Sequence, residues 1–105
     1  MDRIGKVFFN NIMAGILIND NDGYHFIYDH KYLAIGPPLS FNLPLQEESF
    51  TSDRLFSFFD NLAAEGWLKK IQCKAQKINE NDTFGLLLKN GRDLVGSVTI
   101  IEGQK

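Results

Sequence analysis

The sequence predicts an α+β fold in which an antiparallel sheet of about five strands carries two or three short helices on one side. Two observations predict it. Short segments rich in β-branched and aromatic residues occur near both ends of the chain, and its middle has apolar residues at helical spacing. Because strands come first, helices next and one strand last, the helices are expected to pack on the sheet. The 105 residues are expected to form one domain, residues 1–105.

The first strands are predicted to form an antiparallel meander. Residues 4–9 and 13–18 have the composition of strands and are separated by Asn10-Asn11, a natural turn pair. A cluster of turn-forming residues that ends at Gly23 precedes residues 24–28, where aromatic side chains alternate toward one face. Short turns between neighbouring strands predict antiparallel pairing.

Two further extended segments are predicted, one before and one after the helices. Residues 40–45 alternate polar and apolar side chains. Pro44 lacks a backbone donor, so this segment is predicted to be an edge strand or simply extended. Residues 94–101 are rich in valine and isoleucine and are predicted to form the last strand.

The helices are predicted between residues 52 and 91. Ser52 or Asp53 is the expected N-cap of the first, which has apolar residues at i, i+3, i+4 and i+7. These apolar residues are Leu55, Phe58, Phe59 and Leu62. The second helix covers residues 67–78 and has one apolar stripe. This stripe consists of Trp67, Leu68, Ile71, Ala75 and Ile78. Asp82 is expected to cap a third helix, which Gly91 ends.

Composition and charge argue against several classes of protein. A net charge of −2 and a pI near 5.6 argue against direct nucleic-acid binding, which needs a basic surface. The longest apolar stretch, residues 13–18, is far shorter than the roughly 20 residues of a membrane span, so no membrane association is predicted. The first residues do not resemble a signal peptide and Cys73 is the only cysteine, which together predict a cytoplasmic protein.

Neither a catalytic site, a metal site nor a cofactor site is predicted. His25, His30 and Cys73 match no known pattern of metal ligands, and structural roles are expected for them. Cys73 has lysine neighbours but no histidine nearby in sequence that would activate it. The glycines at 91 and 96 precede a strand, whereas a phosphate-binding loop precedes a helix. The protein is therefore predicted not to be an enzyme.

Trp67 is the only tryptophan, and two interpretations of it remain open from sequence alone. It follows Glu65-Gly66 at the start of the second predicted helix, on the edge of the apolar stripe nearest the lysines. It either packs into the core of the domain or projects from the corner as an anchor for a partner, a role in which tryptophan is enriched.

Ordered motifs over nearly the whole chain resemble the N-terminal subdomain of HipA-type serine/threonine kinase toxins. The most specific is residues 54–62 followed by Glu65-Gly66-Trp67-Leu68, which is similar to the family signature FFDNLLPEG. Further matching segments are residues 15–17, 26–29, 39–45, 82–87 and 91–98. Ala63-Ala64 replaces the Leu-Pro of the family, which implies a more helical corner.

The resemblance implies a function. The kinase body of the family would follow this region, whereas this sequence stops at Lys105, so it resembles HipS, the small antitoxin of three-component HipBST systems. This implies an antitoxin that binds and neutralises a separate HipA-like (HipT-type) kinase. A HipB-like helix-turn-helix protein in a ternary complex is a further partner that the resemblance suggests. The alternative is a non-inhibitory structural subunit that completes the kinase fold. The expected partner-binding residues are Trp67, Glu65, Gly66 and Lys70.

Overall fold

The computed structural model describes residues 2–63, 66–92, 94 and 97–103. Within these ranges, the strands are β1 (Arg3–Phe9), β2 (Ile12–Asp20), β3 (Gly23–Tyr28), β4 (Phe50–Ser52) and β5 (Val98–Gly103). The helices are α1 (His30–Leu33), α2 (Ser57–Asp60), α3 (Gly66–Gln76) and α4 (Thr83–Asn90).

The strands form one antiparallel sheet in the order β4-β3-β2-β1-β5. The predicted α+β class is therefore confirmed, as is the meander of the first strands. Asn10 and Asn11 have φ angles of 51° and 67°. A two-residue turn with positive φ at both positions matches the twist of the flanking strands, which is why asparagine is favoured there.

The fourth strand is not the segment that the sequence predicts. Phe50–Ser52 pairs with β3, whereas residues 40–45 contain only an isolated bridge between Ser40 and Leu43. The side chain of Tyr28 explains why this segment stays out of the sheet. Its hydroxyl donates to the Leu43 carbonyl and accepts from the Leu39 amide at 3.0 Å, so a buried side chain satisfies backbone groups that a strand partner would otherwise take.

The helices differ from the prediction mainly at their first residues. The first predicted helix begins at Ser57, and its N-cap residue Phe56 makes no side-chain capping bond. Ser52 belongs to β4 instead, and its Oγ accepts from the Arg54 amide at 3.1 Å. The unpredicted helix α1 is capped by Asp29, and β5 begins at Val98, after the predicted start at residue 94.

The core lies between one face of the sheet and the helices. The sheet contributes the buried side chains of Val7, Leu17, Phe26, Tyr28, Val98 and Ile100. The helices α1, α2 and α4 contribute Tyr32, Phe59, Phe84 and Leu87. Helix α3 contributes no described side chain to this cluster. The predicted packing of helices on one side of the sheet is confirmed.

An ion pair connects β1 to the start of α4. Arg3 Nη1 lies 2.8 Å from Asp82 Oδ2, while Arg3 Nη2 donates to Asn19 Oδ1 at 2.8 Å. The Asp82 carboxylate also accepts from the Gly85 amide at 3.2 Å, which confirms Asp82 as the predicted N-cap. Partial burial raises the pKa of Asp82, but the hydrogen bonds from Arg3 and Gly85 outweigh it and hold the pKa below its ordinary value of 3.8.

We expect this ion pair to make the free energy of unfolding depend on pH. A carboxyl whose pKa is depressed by folding stabilises the protein above its unfolded pKa, and that contribution is lost as the pH falls through the folded pKa. Asp82→Asn keeps a capping side chain but removes the charge, and we expect a loss of about 0.5–1 kcal/mol at neutral pH. Urea denaturation of both proteins should show this difference shrinking below a pH of about 4. A difference that is the same at neutral and acidic pH would contradict the assignment.

Candidate protein-binding site

Helix α3 begins with a backbone conformation that favours glycine. Gly66 has a φ of +61°, in the left-handed region, and the space that a side chain would occupy there is open. The conformation, and not crowding, is therefore what requires glycine. Glu65, another residue of the predicted site, lies outside the described residues.

The side of α3 that faces the rest of the protein is largely polar. Cys73 is buried there, and Gln76 and Asn90 of α4 exchange two amide hydrogen bonds of 2.9 and 3.0 Å. Asn90 also donates to the Leu86 carbonyl at 2.9 Å, which fixes the orientation of its amide. Among the described side chains, a pair of amides and one thiol thus hold α3 against the domain.

The described aliphatic side chains of α3 face away from the protein. Leu68 is 44% exposed and Ile71 is 52% exposed, and Ala75 is exposed beside them. We call these three residues the α3 stripe. An amphipathic helix normally buries its apolar side. A helix that turns amides inward and leucine and isoleucine outward is typical of a surface that contacts another protein.

Two of the four predicted partner-binding residues have described positions beside this stripe. Gly66 is the first residue of α3, and Lys70 is exposed one turn later. For Trp67 the structure describes the helical backbone only. Helical spacing places position 67 one turn before Lys70 and Ile71. The predicted site and the α3 stripe therefore share one helix. Sequence periodicity identified the stripe but did not indicate that Leu68 and Ile71 are exposed.

The sheet face opposite the helices is a second apolar surface. Ile16 and Ile18 alternate with buried residues of β2. Ile16 lies opposite Ile27 of β3 and Lys6 of β1, and Lys6 in turn lies opposite Ile101 of β5. Ile27 is 37% exposed and the others are half-buried. Lys6 lies among these side chains and is exposed. The side chains of the α3 stripe are more exposed than these isoleucines, which makes α3 the stronger candidate.

The described residues contain no arrangement suited to metal binding. No three histidine, cysteine or acidic side chains of that set lie together. His25 Nε2 lies 3.1 Å from Asp20 Oδ1, and His25 Nδ1 lies 3.2 Å from Thr51 Oγ1. The Asp22 amide and His25 lower the pKa of Asp20. None of the helices in the described ranges has the length and hydrophobicity needed to span a lipid bilayer.

Comparison with known proteins identifies the family. The sequence model of the HipA N-terminal domain matches residues 5–101. The chain belongs to the HipA N-terminal domain family. An uncharacterized protein of Haemophilus influenzae is 43% identical over 100 residues, and the alignment covers 95% of this chain and 92% of that protein. A relative of nearly the same length therefore exists.

Solved structures of HipA N-terminal domains share the fold. A structure described as the N-terminal domain of HipA toxin superposes with a TM-score of 0.79 at 41% identity, over 98% of this chain and 94% of that one. The Shewanella oneidensis MR-1 HipA, solved in complex with HipB and its operator DNA, gives a TM-score of 0.73 at 20% identity. That match covers 92% of this chain but 23% of the Shewanella chain, and it shows that this HipA N-terminal domain has the fold of one segment of a longer protein.

Proposed function

We propose that this HipA N-terminal domain is an antitoxin that binds and neutralises a separate HipA-like serine/threonine kinase toxin. The observation that supports this most is the outward-facing α3 stripe, because a domain of this family that exposes Leu68 and Ile71 has a surface suited to a protein partner. The kinase toxin is the partner that the family suggests. The binding surface is α3, with the stripe at its centre.

The predicted partner-binding residues have distinct roles in this proposal. Trp67 fills a pocket on the kinase, and Lys70 contributes a charge at the rim of the interface. Glu65 and Gly66 shape the corner from which α3 starts. The left-handed φ of Gly66 supports this role, since it sets the direction in which the helix leaves that corner.

The proposal also specifies what the protein does not do. It acts in the cytoplasm by non-covalent binding, without catalysis or cofactors and without direct contact with nucleic acid or membrane. The partner is a HipT-type kinase, and a HipB-like helix-turn-helix protein joins them in a ternary complex. The net charge of −2 supports a partner other than nucleic acid.

A structural subunit is the alternative function. The Shewanella match, in which the same fold is part of a longer HipA chain, favours a domain that completes a kinase. Such a subunit would support kinase activity. The two functions therefore predict opposite effects on the kinase.

The decisive experiment measures phosphorylation by a purified HipA-like (HipT-type) kinase, alone and with the purified full chain. We expect phosphorylation to fall to background near equimolar ratio and the toxicity of the kinase in growing cells to be suppressed. A rise in phosphorylation would favour the structural subunit, and an unchanged rate without binding would contradict both functions.

Matched charge insertions test whether α3 is the binding surface. Ile71→Asp places a carboxylate in the α3 stripe, and Phe41→Asp places one at a side chain that is 97% exposed in the loop before β4. We expect Ile71→Asp to abolish inhibition and Phe41→Asp to retain it, because burying an unpaired charge in an interface is costly. If only Phe41→Asp loses inhibition, the kinase binds the loop that contains Phe41 and not α3.

A further inference from the structure

The lysines of α3 concentrate positive charge on one part of an acidic protein. Residues 66–77 contain Lys69, Lys70, Lys74 and Lys77 and no acidic residue, while the whole chain has a net charge of −2. Arg3–Asp82 and His25–Asp20 are ion pairs of the described residues, and neither includes these lysines. The lysines thus give α3 a local excess of positive charge.

A cleft of about 780 Å³ lies beside these lysines. Lys70 and Lys74, one helical turn apart, line it from α3, and Asn79 and Asn81 line it from the turn that follows. The Asn81 amide donates to Asn79 Oδ1 at 2.8 Å, which orders this turn. Glu80 is the one carboxylate in the described lining, so lysine charge exceeds acidic charge around the cleft.

We propose that this cleft binds an acidic segment of the kinase, with carboxylates paired to Lys70 and Lys74. The inference rests on the proposed function, because it assigns a chemistry to the partner surface that lies next to the α3 stripe. Residues one turn apart on a helix have Cβ atoms about 5–6 Å apart, so Lys70 and Lys74 can each pair with a carboxylate of one acidic segment.

Continuity with the stripe supports a protein partner over nucleic acid. Ile71 and Lys74 are three residues apart on α3, where side chains are neighbours, and both are exposed, so one partner surface meets apolar and basic side chains together. Interfaces of this type have an apolar centre and a charged rim, and the rim charges chiefly accelerate association. The cleft lies at the rim of the interface centred on the α3 stripe, and its role is to attract and orient the kinase.

Charge reversal with a matched control tests this inference. Lys70→Glu combined with Lys74→Glu changes the net charge as much as Lys31→Glu combined with Lys89→Glu, whose exposed lysines lie on α1 and α4 outside the cleft. Association and dissociation rates with the purified kinase are measured at about 50 and 500 mM salt, where the screening length differs severalfold.

We expect the cleft variant to lose about tenfold in affinity at low salt, mostly through slower association, and to lose most of the salt dependence. The control variant should bind within about threefold of wild type. Equal behaviour of the two variants, with both folded by circular dichroism, would overturn the inference. Loss of the salt-sensitive component after phosphatase treatment of the kinase would overturn the carboxylate assignment and indicate phosphate.

The outcome separates this inference from the proposed function. If Ile71→Asp abolishes binding while the cleft variant binds normally, the cleft does not bind an acidic segment of the kinase, and the antitoxin function stands. If the wild-type protein fails to bind the kinase at any salt concentration, the proposed function fails first.

Discussion

Replacing Trp67 by alanine is expected to weaken binding to the kinase by about thirtyfold or more, equivalent to at least about 2 kcal/mol. An indole has the largest apolar area of any side chain, and position 67 lies one turn before the exposed Ile71. Truncation would leave a pocket on the kinase unfilled. The affinity is measured by titration calorimetry with the purified kinase, and the biological effect by suppression of toxicity in growing cells.

A conservative variant separates a binding role from a folding role. Trp67→Phe keeps an aromatic ring and should retain part of the affinity, whereas the free energy of unfolding of both variants should stay within about 1 kcal/mol of wild type. If Trp67→Ala binds the kinase like wild type, Trp67 is not the anchor. If it unfolds instead, the side chain belongs to the core, which is the other interpretation of the sequence.

Gly91→Ala is expected to destabilise the fold by about 3 kcal/mol or more. Gly91 is buried where α4 ends, and a Cβ atom there would overlap the carbonyl oxygen of Ile100 in β5. The Ile100 amide donates to the Gly91 carbonyl at 3.0 Å, so moving the strand away would also break this hydrogen bond. Backbone atoms have no alternative rotamer, so the strain must be relieved by shifting β5.

Gly66→Ala is the matched control for this substitution. Gly66 has open space around it but a φ of +61°, whereas Gly91 has a helical φ of −62° and no space. We expect Gly66→Ala to cost about 1–2 kcal/mol through backbone strain alone. Urea denaturation gives both free energies. A cost for Gly91→Ala that is no larger than the cost for Gly66→Ala would contradict the packing argument.

The sequence correctly predicted the turns and caps whose structure depends on residues close by in the chain. The Asn10-Asn11 turn and the Asp82 cap depend on side chains and backbone a few residues away, and both are confirmed. The strand Phe50–Ser52 is too short to show alternation, and its pairing with β3 depends on partners distant in sequence. Gly91 was expected as a helix-ending glycine, and it does end α4, but the approach of β5 is what excludes a side chain.

The sequence predicted which helix carries the candidate site, but not the direction in which its apolar side chains face. Periodicity located an apolar stripe on α3, yet the same periodicity describes a helix that packs inward and one that faces a partner. Gln76 pairs with Asn90 on the side of α3 opposite Leu68 and Ile71, and this contact between two helices is one that no local pattern reveals. Glu65 and the Trp67 side chain lie outside the described part, and their roles stay predictions.

The pairing of β1 with β5 brings together strands from opposite ends of the chain. Ile4 lies opposite Gly103 and Phe9 opposite Val98. Nearly the whole sequence must therefore be synthesised before β5 can pair with β1. On the ribosome, the hairpins of β1, β2 and β3 can assemble early, while β1 remains an open sheet edge. Completion of this sheet is therefore a late event in biosynthesis, and a nascent chain interrupted before Val98 would expose an edge to which other chains can add.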